Sequence, residues 1–479
     1  MRRILVWLPF VAVVMFWFAV RCTAQSRQPV SVQQPTSQPT SISAPQAQEN
    51  INPLSYSALP QTPVPAAQGA GPAVISLTRK QAEALALKNN PQITVAKLRA
   101  LEAGQLVREQ RSVLLPTAYL SLTGVTASDG ARISAGALNN PIIFPRAATG
   151  TTVSQLITDF GRTANLVSSA QSSTKAEEET SAATTAQIVL AVDQAFYNAL
   201  ETRALLQVAQ QTIEARQLIV NRISALTQAK LKSDLDLSFA NVDLSRAKLL
   251  QLEAKNNYAA SLATLSAILG YPDQQQFDLV ESTSTPEEPA ADVSPLIMEA
   301  LRQRPEILAL QDQVTSAEKF ASAEHDLWRP TISALGTVGV APVRNDALPN
   351  WYGAVGVNIN IPVFNGFLYG ARAKTADLRT EETKQKLLDT RNNIARDVRT
   401  AWQQSQQAFE RLGVTQQLRA QANLGLNLAR SRYDLGLGSI VELGQAELQK
   451  TEADIADTDA QYRYRLTRLV VAYTIGMPR

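Results

Sequence analysis

The chain carries one cysteine and one histidine in 479 residues, and each scarcity removes a class of chemistry. Cys22 lies in an apolar N-terminal segment, so a cut after Ala24 leaves a chain with no thiol. That excludes disulfides, a cysteine nucleophile and thiolate metal sites. Lipidation of Cys22 is the other reading, although Arg21 is a poor match to the small residue that precedes a lipoprotein cysteine. His325 alone builds neither a catalytic triad nor a metal site, and a surface role is expected for it. Charge of one sign is also lacking: 45 Lys and Arg face 42 Asp and Glu, with none of the positive excess that nucleic-acid binding needs to displace phosphate counterions. No nucleotide-binding glycine loop occurs, so any energy for transport comes from a partner. Mean hydropathy is −0.10, which suits a water-exposed protein far better than a bundle of spanning helices. Any membrane part is small or alternating. No catalytic residue, metal or cofactor is expected.

Residues 1–24 read as a signal peptide, with Arg2 and Arg3 ahead of an apolar stretch from Ile4 to Val20 and a small residue at Ala24. A retained anchor helix is the alternative, in a stretch that is short for a span and carries Pro9. Residues 25–73 are rich in Pro, Gln and Ser, too apolar-poor to offset the entropy of ordering, and read as a disordered leader.

The rest of the chain is duplicated. NNPQI at 89–93 faces QRPEI at 303–307, and the pairs Pro91/Pro305 and Pro116/Pro330 both stand 214 residues apart. Further on, VDQAFYN at 192–198 faces VRTAWQQ at 398–404, and AILGYPD at 267–273 faces YTIGMPR at 473–479, both displaced by 206. One gap of eight reconciles the offsets. The expected repeats are 74–280 and 294–479, joined by a linker at 281–293.

Each repeat contains a proline-free stretch of strong helix formers, Val167–Ala229 and Leu368–Leu435. Apolar positions recur at three and four, as in Val192, Phe196, Ala199 and Leu206, Ala209, Ile213, which predicts coiled-coil packing. After a short break, a second helix runs to Gly270 or Gly476, giving hairpins over 162–270 and 367–476. Ahead of each long helix stands a shorter opening helix and then alternating stretches. Trp351, Val355, Val357, Ile359 and Ile361 alternate with Tyr352, Ala354, Gly356, Asn358 and Asn360. Strands are expected near 117–126, 149–158, 331–341 and 351–361, an α+β chain with about four strands. Four strands cannot close a barrel, and sheet edges are not tolerated in hydrocarbon, so strands in a membrane require several chains to share one barrel. A small antiparallel domain in water is the alternative.

These residues resemble the TolC family of outer-membrane efflux proteins from about Leu77 to the C-terminus. The resemblance is carried by the NNPQI and QRPEI openings, the Pro116 and Pro330 junctions, IPVFNGF at 361–367 and, most specifically, RYDLGLGSIVELGQAEL at 432–448. It implies a homotrimer whose twelve strands form one shared outer-membrane β-barrel and whose twelve long helices continue it as an α-helical barrel through the periplasm. It implies a passive efflux or type I secretion conduit, with a periplasmic adaptor and an inner-membrane pump as partners. It also implies an acidic ring at the periplasmic aperture, where Glu442 takes the motif's acidic position, with Asp236, Asp234 and Tyr433 as companions. Plain helix capping is the alternative for Asp234 and Asp236. Gly438 and Gln445 stand where relatives often carry a basic latch and a second acid. The adaptor-docking tips are expected at Leu231, Lys232 and Ser233 and at Gly436, Leu437, Gly438 and Ser439. The rival to a duct is a non-channel periplasmic coiled-coil adaptor or scaffold.

Overall fold

The computed structural model describes residues 75–126, 146–281, 287–341 and 349–476. The expected signal peptide and leader, and the centre of the expected linker, lie outside the described residues.

In the first repeat a short strand β1 (Ile75–Leu77) precedes helices α1 (Arg79–Asn89) and α2 (Pro91–Ser112), strands β2 (Thr117–Val125) and β3 (Arg146–Thr158), and helices α3 (Arg162–Gln228) and α4 (Asp234–Ile268). After strand β4 (Phe277–Leu279) the second repeat follows the same order: α5 (Ser294–Gln303), α6 (Pro305–His325), β5 (Thr331–Val340), β6 (Trp351–Asn360), α7 (Leu368–Asp434) and α8 (Ile440–Ile475). The opening helix of each repeat, read from sequence as one, is therefore two. A proline ring disfavours helical ψ in the residue before it, and Asn90 and Arg304 take ψ of 121° and 127°. Pro91 and Pro305 then occupy the first helical turn, where the missing N–H is no loss. Asn90 caps α2 by accepting from the Gln92 backbone N–H at 2.9 Å, and its amide donates to the Ile268 carbonyl at the end of α4.

The long helices α3 and α7 each have 67 residues, which at ~1.5 Å per residue gives roughly 100 Å. Each packs along its own return helix, α3 also against α2 and α6, and α7 against α6. The buried clusters keep the sequence offsets. Ala86, Ile93, Ile188 and Val192 are buried together in the first repeat, as are Ala300, Ile307, Ile394 and Val398 in the second. The first cluster is the larger because β1 and β4 pair in parallel beside it, adding Leu77, Phe277 and Leu279 to Phe196, Leu265 and Leu269. Each such fully buried side chain contributes roughly 1.5–3 kcal/mol.

The other four strands form one antiparallel sheet in the order β2-β3-β5-β6, so β3 and β5 join the two repeats. Its faces differ in chemistry. One carries Leu120, Leu122, Val338, Val340, Trp351, Val355, Val357 and Ile359, aligned by the register and exposed, Val355 to 92%. The other carries hydroxyl and amide groups, among them Ser121, Thr123, Thr152, Ser154, Ser333, Thr337, Asn358 and Asn360. Arg146, at the start of β3, is the only charged residue in the four strands. No described helix is long and apolar enough to cross a membrane.

Candidate functional site: the hairpin tips

The two tips are built by one device. A helix ends in a residue of left-handed conformation, the chain turns, and a serine caps the return helix. At the second tip Gly436 takes φ 74°, the Leu437 N–H donates to the Arg432 carbonyl at 2.8 Å, and Ser439 Oγ accepts from the Glu442 N–H at 3.1 Å. This bond from C″ back to C3 is the Schellman closure that glycine serves without a Cβ penalty. At the first tip Lys230 takes the left-handed place with φ 56°, the Leu231 N–H donates to Leu226 at 2.9 Å, and Ser233 Oγ accepts from Asp236 N–H at 3.2 Å.

The candidate acids behave differently. Asp236 returns toward the Ser233 N–H at 3.5 Å, completing a capping box, and Asp234 lies in the same first turn beside the helix's positive end. Glu442 does not turn back to its cap. Its Oε1 accepts from Arg432 Nε at 3.0 Å, and another guanidinium N–H of Arg432 donates to the Leu437 carbonyl at 3.3 Å. Arg432 thus supplies the basic partner that Gly438 cannot. Sequence reading missed it because it sits ten residues before Glu442, across a turn whose closure brings residues 432 and 437 together.

Tyr433 is buried among Val220, Ile223, Leu244, Leu426, Ile440 and Leu443, a cluster that joins the two tips. Lys232 Nζ stands 4.2 Å over its ring, a cation–π contact from the first tip to the second. Burial, and then the nearby Asp236 charge, push the Tyr433 hydroxyl above its ordinary pKa against the pull of Arg222. Tyr433 Oη makes no hydrogen bond. Arg222 of α3 also pairs with Asp434 of α7 at 2.9 Å.

The structure therefore brings Tyr433, Asp236 and Lys232 together and draws Glu442 to Arg432. Leu231 and Leu437 are exposed at the two turns, with Leu235, Leu435 and Val441 beside them. Above the tips a second charged cluster, absent from the sequence reading, ties the helices. Arg216 of α3 pairs with Glu447 of α8, while Asp243 of α4 lies 3.9 Å from Arg216 and Arg430 of α7 lies 3.8 Å from Glu447. Neither Arg216 nor Glu447 could be placed inside by periodicity, because a lone charge in a helix reads as solvent-facing. Beside them α4 and α8 border a groove of about 530 Å³ lined by Phe239, Val242, Leu250, Ile440, Val441 and Leu448. His325 is exposed and pairs with Asp377 at 3.0 Å. Among the described residues no group of His, Cys, Asp and Glu is arranged to hold a metal.

The family model for "Outer membrane efflux protein" matches residues 84–271 and 296–473, one match to each repeat. Among curated proteins, the cation efflux system protein CusC of Escherichia coli O157:H7 is 24% identical over 406 residues, covering 82% of this chain and 84% of that protein. Outer membrane protein OprJ of Pseudomonas aeruginosa is 23% identical over 82% of each chain. Among solved structures, CusC superposes with a TM-score of 0.74 at 21% identity, covering 87% of this chain and 98% of that one. The CmeC outer membrane channel of Campylobacter jejuni gives 0.72 at 20% identity, over 83% and 85%. The expected α+β fold with few strands is that of these channels, and the coiled-coil scaffold reading is left without support. Matched repeat by repeat, the chain belongs to the outer membrane efflux protein family, the channels that lie in the bacterial outer membrane and reach into the periplasm.

Proposed function

We propose that three copies of this chain form one passive duct, with the four-stranded sheets closing into a shared barrel and the long helices continuing it toward the inner membrane. The observation that carries this reading is the sheet itself. It has four strands, two free edges, one apolar face and one face lined by hydroxyl and amide groups. In hydrocarbon the edges must pair, and pairing between copies satisfies every backbone group while setting the polar face around water. The conduit carries no catalytic chemistry of its own. It works with a periplasmic adaptor and an inner-membrane pump that supply selection and energy. The relative named as a cation efflux protein speaks for its own cargo, and selection of cargo here rests with the pump.

The tips serve as the aperture and the docking end. Repeated three times around an axis, Glu442 and Asp236 set a negative field that favours cations, and Arg432 holds Glu442 in place. Tyr433 and Lys232 latch one tip to the other. Leu231, Lys232 and Ser233, with Gly436, Leu437, Gly438 and Ser439, present an apolar-tipped turn to the adaptor. The test is single-channel recording in planar bilayers, with a trivalent cation added on the tip side. Wild type is expected to show cation-selective steps that the trivalent ion blocks, and Glu442→Ala to keep the steps and lose the block. Steps with unchanged block in the variant refute the aperture assignment. No steps from folded wild type refute the duct.

A further inference from the structure

The hydroxyl-lined face of the sheet contains one transverse row unlike the rest. Strand register aligns Ser121, Gly150, Gly339 and Tyr352 across β2, β3, β5 and β6. Tyr352 lies flat along this row. A Cβ built on Gly339 would sit 2.6 Å from Tyr352 Cζ, and one built on Gly150 would sit 3.3 Å from the same atom and closer still to its hydroxyl oxygen. The ring therefore crosses both glycines, two strands deep, and occupies the space their side chains would take. The next row toward the helices shows the contrast. There Tyr119, Thr152, Thr337 and Ala354 align, the two threonine hydroxyls lie 3.4 Å apart, and Tyr119 stands free at 64% exposure against 41% for Tyr352. An aromatic ring covering strand glycines shields exposed backbone and pins register. Here the covered glycines are on the hydroxyl-lined face, toward the end of the sheet remote from the helices.

We propose that Gly150 and Gly339 form a recess that stows the Tyr352 ring against the wall, so that the bore at this row, near the outer mouth, stays open. The proposal rests on the duct reading, which places that face around water. A side chain in the recess swings the ring inward. Three rings then narrow one level of the duct and lower the size of solute that passes. Gly150 is the position to fill, because the nearest obstacle to its Cβ is the far end of the Tyr352 side chain. A Cβ on Gly339 also meets the Thr149 carbonyl at 2.5 Å and would disturb the strand.

The experiment compares wild type, Gly150→Ala, Tyr352→Ala and the double variant, each as the full chain. Tyrosine nitration by tetranitromethane is read by peptide mass spectrometry with Tyr119 as the reference on the same face. The exclusion size for neutral polyethylene glycols added to the outer side is read in planar bilayers. The expected result is a rise in Tyr352 nitration relative to Tyr119 in Gly150→Ala, a smaller exclusion size, and return to the wild-type size in the double variant. Tyr352→Ala alone is expected to leave the exclusion size unchanged, since a stowed ring obstructs nothing. The proposal is overturned if Gly150→Ala conducts with an unchanged nitration ratio and size, if the double variant fails to recover, or if Tyr352→Ala alone widens the passage. Wild type that conducts while the variants fail these tests rejects the recess alone. Wild type without steps rejects the duct and the recess's role in the bore with it.

Discussion

Arg432 and Glu442 meet at 3.0 Å with both side chains substantially exposed, so their pairing is worth at most ~1 kcal/mol to the fold. Their value lies in position. Arg432→Ala is expected to leave the thermal midpoint of the purified protein almost unchanged while altering unitary conductance, because Glu442 loses its holder. A conductance identical to wild type would remove Arg432 from the aperture. Lys230 is the opposite case, a residue whose cost is to the fold. It takes the left-handed conformation that glycine takes at the equivalent position 436, and a Cβ there costs roughly 1 kcal/mol. Lys230→Gly is expected to raise the midpoint in a melting experiment, and a fall would mean that the lysine makes a compensating contact. At this scale the motif resemblance singled out Glu442, Tyr433, Lys232 and the tip serines, but not what they touch. Arg432 holds Glu442 across a turn, and Lys232 covers Tyr433 from the other tip, contacts that no local spacing reports.

At the scale of elements, periodicity made the long helices legible. Gly270 and Gly476 marked the ends of the return helices, whereas the break inside each opening helix shows only in the extended conformation of Asn90 and Arg304. What periodicity cannot report is which charges face another helix. Asp193 of α3 is pushed up to about 7, first by burial and then by Glu83, against the pull of Arg79. Glu201, two turns further along α3, is also pushed up to about 7, by burial and by Asp459 of α8. Both carboxyls thus hold protons in the folded chain between pH ~4.5 and ~7 that the unfolded chain has released. Linkage then lowers stability as pH rises through that window and leaves it level above. Melting at pH 5 and pH 8 is expected to show this decline, and Glu201→Gln to reduce it. An unchanged pH dependence in the variant would show that the proton on Glu201 does not contribute.

For the whole molecule, duplication was the most informative signal, because both offsets reappear as equivalent buried residues in two cores. The pairing of β3 with β5, which merges the repeats into one sheet, was not legible, since alternation gives a strand's faces and never its neighbour. The faces lead to a direct prediction. Val355 lies mid-strand on the apolar face and Asn358 on the opposite one. Val355→Arg is expected to cost ~2–4 kcal/mol if it meets the bilayer midplane and to abolish trimer recovery from outer membranes, whereas Asn358→Asp is expected to be tolerated. Equal recovery of both would contradict the orientation of the sheet. The two unpaired edges, on β2 and β6, also constrain how the molecule is made. If the sheets close into the proposed shared barrel, a lone protomer has no form in which its strands can wait in lipid, and insertion and association become a single event. Channel formation is then expected to rise steeply with the local supply of newly exported chains, which recovery of oligomer from outer membranes at graded expression checks.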